Sequence, residues 1–210
     1  MIRRRRRRLP PSIQISRRWR RTWPGLLVAL IVAGVVGYDH WRHGPAPDAA
    51  AVVDFEQRLF RVVYVADGDT FDIDQTSGGK SQTRIRLWGV DTPEIAHGSS
   101  PTMHFGPEAK SFAERTLAGQ MVQVRVLPDR LHDRFGRLLA FVHVGRDGPM
   151  FNEMLLQEGY GYADTRFDHP QKDRFIELER AARNERLGLW KDLTPLQMPK
   201  WRQKKRAWDD

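Results

Sequence analysis

Leu59-Phe60-Arg61-Val62-Val63-Tyr64-Val65-Ala66-Asp67-Gly68-Asp69-Thr70-Phe71-Asp72-Ile73 contains two runs rich in β-branched and aromatic residues, Leu59 to Val65 and Thr70 to Ile73, on either side of an Asp-Gly turn. Side chains of that kind fit a pleated, half-buried surface, and Asp-Gly between such runs is a strong hairpin signal. The pattern recurs in Arg84 to Val90, Met121 to Leu127 and Leu138 to Val144, so five short strands are predicted between Glu56 and Val144, with a further turn at Ser77-Gly78-Gly79-Lys80. Three helices are predicted around and after them. Pro107 stands at a favourable first helical position before the stripe Ala109, Phe112, Ala113 and Leu117. Phe151, Met154 and Leu155 form a second stripe stopped by Gly159, and Pro170 to Leu187 form the third helix, with Phe175, Leu178 and Ala182 on one face and Gly188 beyond its end. Five strands with helices late and at one edge predict an α+β fold, a five-stranded β-barrel of the OB type with three helices.

Three segments of this region carry chemistry: Asp67-Gly68-Asp69-Thr70, Arg86-Leu87-Trp88-Gly89-Val90-Asp91-Thr92-Pro93-Glu94 and Asp133-Arg134-Phe135-Gly136-Arg137. Asp69 and Asp91 offer hard oxygens to a divalent cation, Arg86 and Arg137 offer planar forks to a phosphate, and Glu94 is a further carboxylate three residues beyond Asp91. Taken singly, each segment reads as an ordinary turn or strand end. Together they supply what is needed to break a phosphodiester with a metal ion. Asp67 either supports the metal from behind a ligand or caps its own turn. His97, His104 and His132 are scattered and read as surface or packing residues.

The combination DGDT, RLWGVDTPE, FGPEA (Phe105 to Ala109), DRFGR, the helix start Met150-Phe151-Asn152-Glu153 and the closing Gly188-Leu189-Trp190 resembles the staphylococcal-nuclease-like, or thermonuclease, family over about residues 58 to 191. The resemblance implies an OB-fold barrel with three helices and a calcium-dependent endonuclease and exonuclease acting on DNA and RNA to leave 3′-phosphate ends. Carried over by motif, Asp69 and Asp91 look like the calcium carboxylates, Thr92 like a backbone-carbonyl ligand, Glu94 like the water-activating residue, and Arg86 and Arg137 like the phosphate-binding arginines. Two aspartates from different strands with carbonyl and water oxygens form a roomy hard-ligand site, which favours Ca2+ over magnesium. Whether Glu94 takes the proton from the attacking water or orders it stays open. The stretch after Gly159 (YGYADTRFDHP) lacks the paired tyrosines of the family, leaving Tyr160, Tyr162 and Phe167 as candidates for stacking on bases, although tyrosines next to a helix end are more often core. A noncatalytic OB-fold nucleic-acid-binding module is the alternative, and the intact acidic and arginine positions argue against it.

The 210 residues, 40% of them apolar, suit one catalytic domain with extensions. The net charge of +9 is not spread over that domain: ten arginines and no acid lie in residues 1–22, and the remaining 25 basic residues are outnumbered by 26 acids. The absence of cysteine excludes disulfides, thiol nucleophiles and zinc-thiolate sites. After the arginine-rich arm, 16 uncharged residues from Trp23 to Tyr38 would form a helix of roughly 24 Å, against a hydrocarbon layer of ~30 Å. Trp19 and Trp23 on one side and Tyr38 and Trp41 on the other match interfacial aromatic belts, and no small-x-small cleavage site follows closely, so residues 23–41 are expected to be an uncleaved transmembrane segment, with a cleaved signal and a secreted enzyme as the alternative. The arginines hold the N-terminus inside, which places the domain outside the cytoplasm. The expected order is therefore arm 1–22, anchor 23–41, Pro/Ala-rich linker 42–55, nuclease domain 56–191 and a basic tail 192–210 whose cluster Lys200, Arg202, Lys204, Lys205 and Arg206 reads as solvated. The expected partners are DNA and RNA substrates and the membrane, with the protein itself a monomer.

Overall fold

The computed structural model describes residues 55, 58–76, 81–96 and 101–203, all within the unit Ala46–Asp210. The arginine arm, the apolar segment 23–41 and the linker up to residue 54 lie outside the described residues. Among those described, no helix is long and apolar enough to cross a membrane.

Strands β1 (Leu59–Val65) and β2 (Thr70–Ile73) form the expected antiparallel hairpin, closed by the N–H groups of Ala66 and Asp67 donating to the Thr70 carbonyl at 2.9 and 3.2 Å. A bulge between Val62 and Tyr64 shifts the alternation by one residue, so Val62 and Val65 both enter the core while Val63 and Tyr64 face solvent. β3 (Thr83–Leu87) pairs antiparallel with β2, and β5 (Met121–Arg125) pairs antiparallel with β1 and with β6 (Leu138–Val144). A parallel pairing of β3 with β6 closes the barrel in the order β1-β2-β3-β6-β5. Phe60, Phe71, Ile85, Leu87, Val124 and Leu138 fill its interior. The α+β, OB-type five-stranded barrel expected from the sequence is the fold observed.

One expected strand is two. Arg84 to Val90 has the composition of a continuous strand, yet the ladder stops at Leu87 and a separate strand β4 (Val90–Asp91) leaves the barrel to pair with β7 (Tyr162–Ala163). The chain turns at Gly89, where φ is 77° and a Cβ would stand 2.5 Å from the His169 ring. This turn brings the carbonyl of Val90 back to the side chain of Arg86 and sets Asp91 facing it.

Helix α1 (Gly106–Leu117) buries Ala109, Ala113 and Leu117, as its stripe predicts. Its first residue is pressed against the loop that carries Glu94: a Cβ on Gly106 would stand 2.5 Å from the Glu94 carbonyl oxygen, which also accepts the Met103 N–H at 2.8 Å. Glycine in the FGPEA motif is therefore a condition for placing Glu94. In α2 (Phe151–Gln157), the buried amide of Asn152 accepts the Val142 N–H at 2.9 Å and donates to the Trp88 carbonyl at 3.0 Å, tying the helix to β6 and to the β3–β4 turn. Helix α3 (Lys172–Asn184) turns Phe175, Leu178 and Ala182 inward as expected, together with the carboxylate of Glu179.

Arg202 departs from the solvated tail read in the basic cluster, whereas Lys200 is exposed as read and Lys204, Lys205 and Arg206 lie outside the described residues. After two 3-10 turns, Gly188–Lys191 and Pro195–Gln197, a short turn of helix α4 (Lys200–Gln203) packs back onto the domain. Arg202 is buried in a bidentate ion pair with Glu179, and Trp201 packs on a small second core built from Tyr162, Ala182, Leu189, Trp190 and Met198. A partner on α3 makes burial of the arginine tolerable, and that pairing is invisible in the basic run itself.

Candidate active site

Asp69 closes the β1–β2 turn. The carboxylate of Asp67 accepts the Asp69 N–H at 3.1 Å and so caps the turn. Asp69 itself is buried and accepts the N–H of Thr92 at 2.7 Å, the Thr92 hydroxyl at 3.1 Å and the Thr70 hydroxyl at 3.0 Å. Thr92 and Asp69, 23 residues apart, are thus bound side by side.

Arg86, on β3, runs between the two aspartates. Its Nη1 lies 2.6 Å from Asp69 Oδ2 and 2.8 Å from the Val90 carbonyl, and its Nη2 lies 2.6 Å from Asp91 Oδ1. Its donors are therefore engaged by the protein, and it is buried. Burial opposes its charge, but Asp69, Asp91, Asp67 and Glu94 outweigh that effect and hold the guanidinium above its usual pKa. Arg137 is arranged differently. Its Nε and Nη2 each lie 2.7 Å from Asp133 Oδ2, while Nη1 has only a long contact of 3.4 Å with the Thr70 hydroxyl. Hydrogen bonds from Arg137 and Phe135 hold Asp133 below the usual carboxylate pKa despite the opposing effect of burial. The DRFGR loop is thus a holder that presents one edge of the Arg137 fork to the cluster, through the same threonine that touches Asp69.

Three carboxylates converge on one guanidinium, whose two terminal nitrogens are both engaged. Burial, with Asp67 adding to it, raises Asp69 to about 6 against the pull of Arg86. Burial also raises Asp91, with Asp69 adding to the effect, and raises Glu94, with Asp69 and Asp91 adding. The side chain of Glu94 reaches solvent at the mouth of the cluster. The cluster therefore holds more negative charge than Arg86 balances, and its donors are all oxygens. That donor set fits a hard divalent cation. Among the described residues no three acidic or histidine side chains are gathered closely enough to hold a metal by themselves, so a backbone carbonyl, as expected of Thr92, and water would complete such a shell.

The structure brings Asp69, Arg86, Asp91, Thr92, Glu94 and Arg137 into one cluster and separates the stacking candidates from one another. Tyr162 is corrected outright: it is fully buried, edge-on to Trp190 with centroids 5.5 Å apart, and cannot meet a base. Tyr160 is half-buried against Phe112, with ring centroids 4.3 Å apart. Phe167 is 45% exposed, with Arg130 and Arg166 over its ring. Phe135, not singled out from sequence, is 68% exposed beside Arg137, and Arg134 lies 4.7 Å from its centroid.

Sequence reasoning also missed the partners of Asp91. Trp201 donates its indole N–H to Asp91 Oδ2 at 2.8 Å, and Arg166, held bidentate by Asp164, brings Nη2 to 3.5 Å from Asp91 Oδ1. The only sequence signal was a tryptophan inside a basic run.

Residues 84–192 match the family described as Staphylococcal nuclease homologue. The thermonuclease of Staphylococcus intermedius is 34% identical over 171 residues, covering 79% of this chain and 95% of that protein. The thermonuclease of Staphylococcus hyicus is 30% identical over 167 residues with the same two coverages, 79% and 95%. The micrococcal nuclease of Shigella flexneri is 31% identical over 148 residues, 67% of this chain and 78% of that protein. With the barrel closed as above, and with a match that runs from β3 through Asp91, Glu94 and Arg137 to the turn after α3, the chain belongs to the staphylococcal nuclease family.

Proposed function

We propose that this protein is a metal-dependent nuclease that uses calcium to hydrolyse phosphodiester bonds in DNA and RNA, leaving 3′-phosphate ends. The observation that carries this reading is the convergence of Asp69, Arg86, Asp91, Thr92, Glu94 and Arg137, supplied by three separate segments, at one point on the barrel surface. The phosphodiester is anionic, so its attack by water needs positive charge first. Asp69, Asp91 and the Thr92 carbonyl would hold the cation, which when bound lowers the charge on a nonbridging phosphate oxygen. Arg137 offers its free edge to that phosphate, and Arg86 supplies a second guanidinium once its donors are released from the aspartates. Glu94, with its pKa raised by burial and neighbouring carboxylates, is suited to accept a proton from the attacking water or to order it. Water then forms a bond to phosphorus and gives up a proton, the bond to the 5′-oxygen breaks, that oxygen takes a proton from solvent and leaves as a hydroxyl, and the phosphate stays on the 3′ side. Phe135 and Phe167 stand exposed near Arg137 and Arg166, where an unpaired base could stack.

The test is incubation of the purified chain with single-stranded DNA and with RNA, in calcium or in chelator. Cleavage in calcium, none in chelator, and products bearing 3′-phosphates are expected. Equal cutting in chelator would remove the metal from the mechanism, and binding without cutting would make the protein a nucleic-acid-binding module.

The same proposal places the enzyme on a membrane with its domain outside the cytoplasm, anchored by residues 23–41. It is supported by the ten arginines before Leu26 and by the lack of a comparable positive block just after Tyr38. The full-length chain is expected to fractionate with inner membranes and to be digested by protease added to spheroplasts. A domain protected in intact spheroplasts would overturn this orientation, and a soluble mature chain beginning near Ala46 to Val52 would replace the anchor with a cleaved signal.

A further inference from the structure

Asp91 sits on a poorly secured element. β4 is two residues long and meets only the two residues of β7, through the pairs Val90↔Ala163 and Asp91↔Tyr162. A ladder so short, outside the barrel, does not fix a side chain by itself. Arg86 holds it from the barrel side, through the Val90 carbonyl and Asp91 Oδ1. A second hold comes from the far end of the chain, where two consecutive residues of α4 reach both strands of the ladder. Trp201 bonds the carboxylate of Asp91 on β4 directly, at 2.8 Å. Arg202 forms its bidentate pair with Glu179, whose Oε2 accepts the Ala163 N–H of β7 at 2.8 Å. The indole is clamped in turn, with the Arg166 guanidinium 4.5 Å and that of Arg202 5.8 Å from its centroid.

The choice of donor matters. Arg86 holds Asp91 Oδ1 with a full positive charge, which competes with any cation for that carboxylate. An indole N–H is uncharged, cannot act as an acceptor or ligand, and makes a single directed bond. It fixes the rotation of the carboxylate while leaving its negative charge in place. A packing tryptophan would serve equally well with its nitrogen in solvent; this one spends its N–H on a carboxylate 110 residues away in the sequence.

We propose that Trp201 is a positioning residue for Asp91, and that the C-terminal turn α4 is therefore a working part of the cation site. The proposal rests on the assignment of Asp91 as a cation ligand in the proposed nuclease. Its test is calcium titration of the full chain by calorimetry, without nucleic acid, for the unaltered protein and for Trp201→Phe, which keeps an aromatic ring beside Arg166 and deletes only the N–H donor and part of the bicycle. Calcium affinity is expected to fall about tenfold, the usual effect of removing a group that orients a ligand. The thermal unfolding of the chelated protein should stay within a few degrees of normal, and KM for single-stranded DNA at saturating calcium should be unchanged. Equal calcium isotherms for a folded Trp201→Phe and the unaltered protein would overturn the proposal while leaving the nuclease assignment standing. An unaltered protein that binds no calcium would overturn both. If Trp201→Phe fails to fold, benzothienylalanine at position 201, with the same bicyclic shape and no N–H, gives the same comparison.

Discussion

Arg137→Lys is expected to lower turnover on single-stranded DNA by about 10²- to 10³-fold in a protein that folds normally, the usual effect of losing one preorganised donor to a charged transition state. Lysine keeps the charge and loses the planar fork. The fork matters at this position because two of its nitrogens are spent on Asp133 and only the remaining edge faces Thr70 and the cluster. A lysine ammonium cannot hold Asp133 and reach a phosphate together. Arg86→Lys should cost turnover on the same scale with a different accompaniment. Arg86 spans Asp69 and Asp91 with separate nitrogens, so its replacement frees the two carboxylates from each other and changes calcium affinity, whereas Arg137→Lys leaves the calcium isotherm alone. Near-normal turnover in either folded lysine variant would show that point charge suffices. An altered calcium isotherm in Arg137→Lys would show that the two arginines are not separable in this way.

Asp69→Asn should abolish calcium-dependent cleavage and, in the absence of metal, make the protein more stable at neutral pH. Asp69 is buried, and its pKa rises from the ordinary 3.8 to about 6. For an acid whose folded pKa lies above its unfolded one, the stabilising contribution is present below the unfolded value and is lost as pH rises through the folded value, here from about pH 4 to about pH 6. At pH 7.5 the ionised carboxylate therefore costs the metal-free fold on the order of 2 kcal/mol. Asparagine keeps an oxygen for the Thr92 N–H and removes the charge. Thermal unfolding in chelator should show the variant melting roughly 5 °C above the unaltered protein at pH 7.5, with the gap closing toward pH 4. Added calcium should raise the melting point of the unaltered protein alone. A variant that melts lower at every pH would mean that the ion pair with Arg86, and not excess negative charge, is the main effect of Asp69 in the empty site.

The barrel was legible because its strands announce themselves locally. Leu59 to Val65 and Thr70 to Ile73 are β-branched and aromatic on either side of Asp-Gly, and they occupy the predicted strands residue for residue. The six central site residues were legible for another reason: their motifs are short, so each carries its chemistry within a few positions. What the sequence withheld is contact between distant segments. The run Arg84 to Val90 gives no hint, apart from one glycine, that it leaves the sheet at Trp88 and Gly89 to meet a strand beyond residue 160. Tyr162, next to a helix end, reads either as core or as a stacking surface, and nothing local decides between them; the closing Gly188–Lys191 turn buries it edge-on to Trp190. Arg202 reads as solvated because its partner Glu179 is hidden among the charged residues of α3. Long-range ion pairs leave no periodicity to detect.

The parallel pairing of β3 with β6 has a consequence for the order in which a newly made chain becomes competent. β1, β2 and β3 emerge together and can form a meander, but its two outer strands, β1 and β3, stay as bare edges until β5 and β6 have been made. Bare edges invite pairing with other chains, so the half-synthesised protein passes through its most aggregation-prone state just before the seam closes. Arg137 lies immediately before β6, and Trp201 follows later still. A growing chain therefore holds two aspartates and one arginine long before it holds a complete site, and cutting must wait until the barrel has sealed.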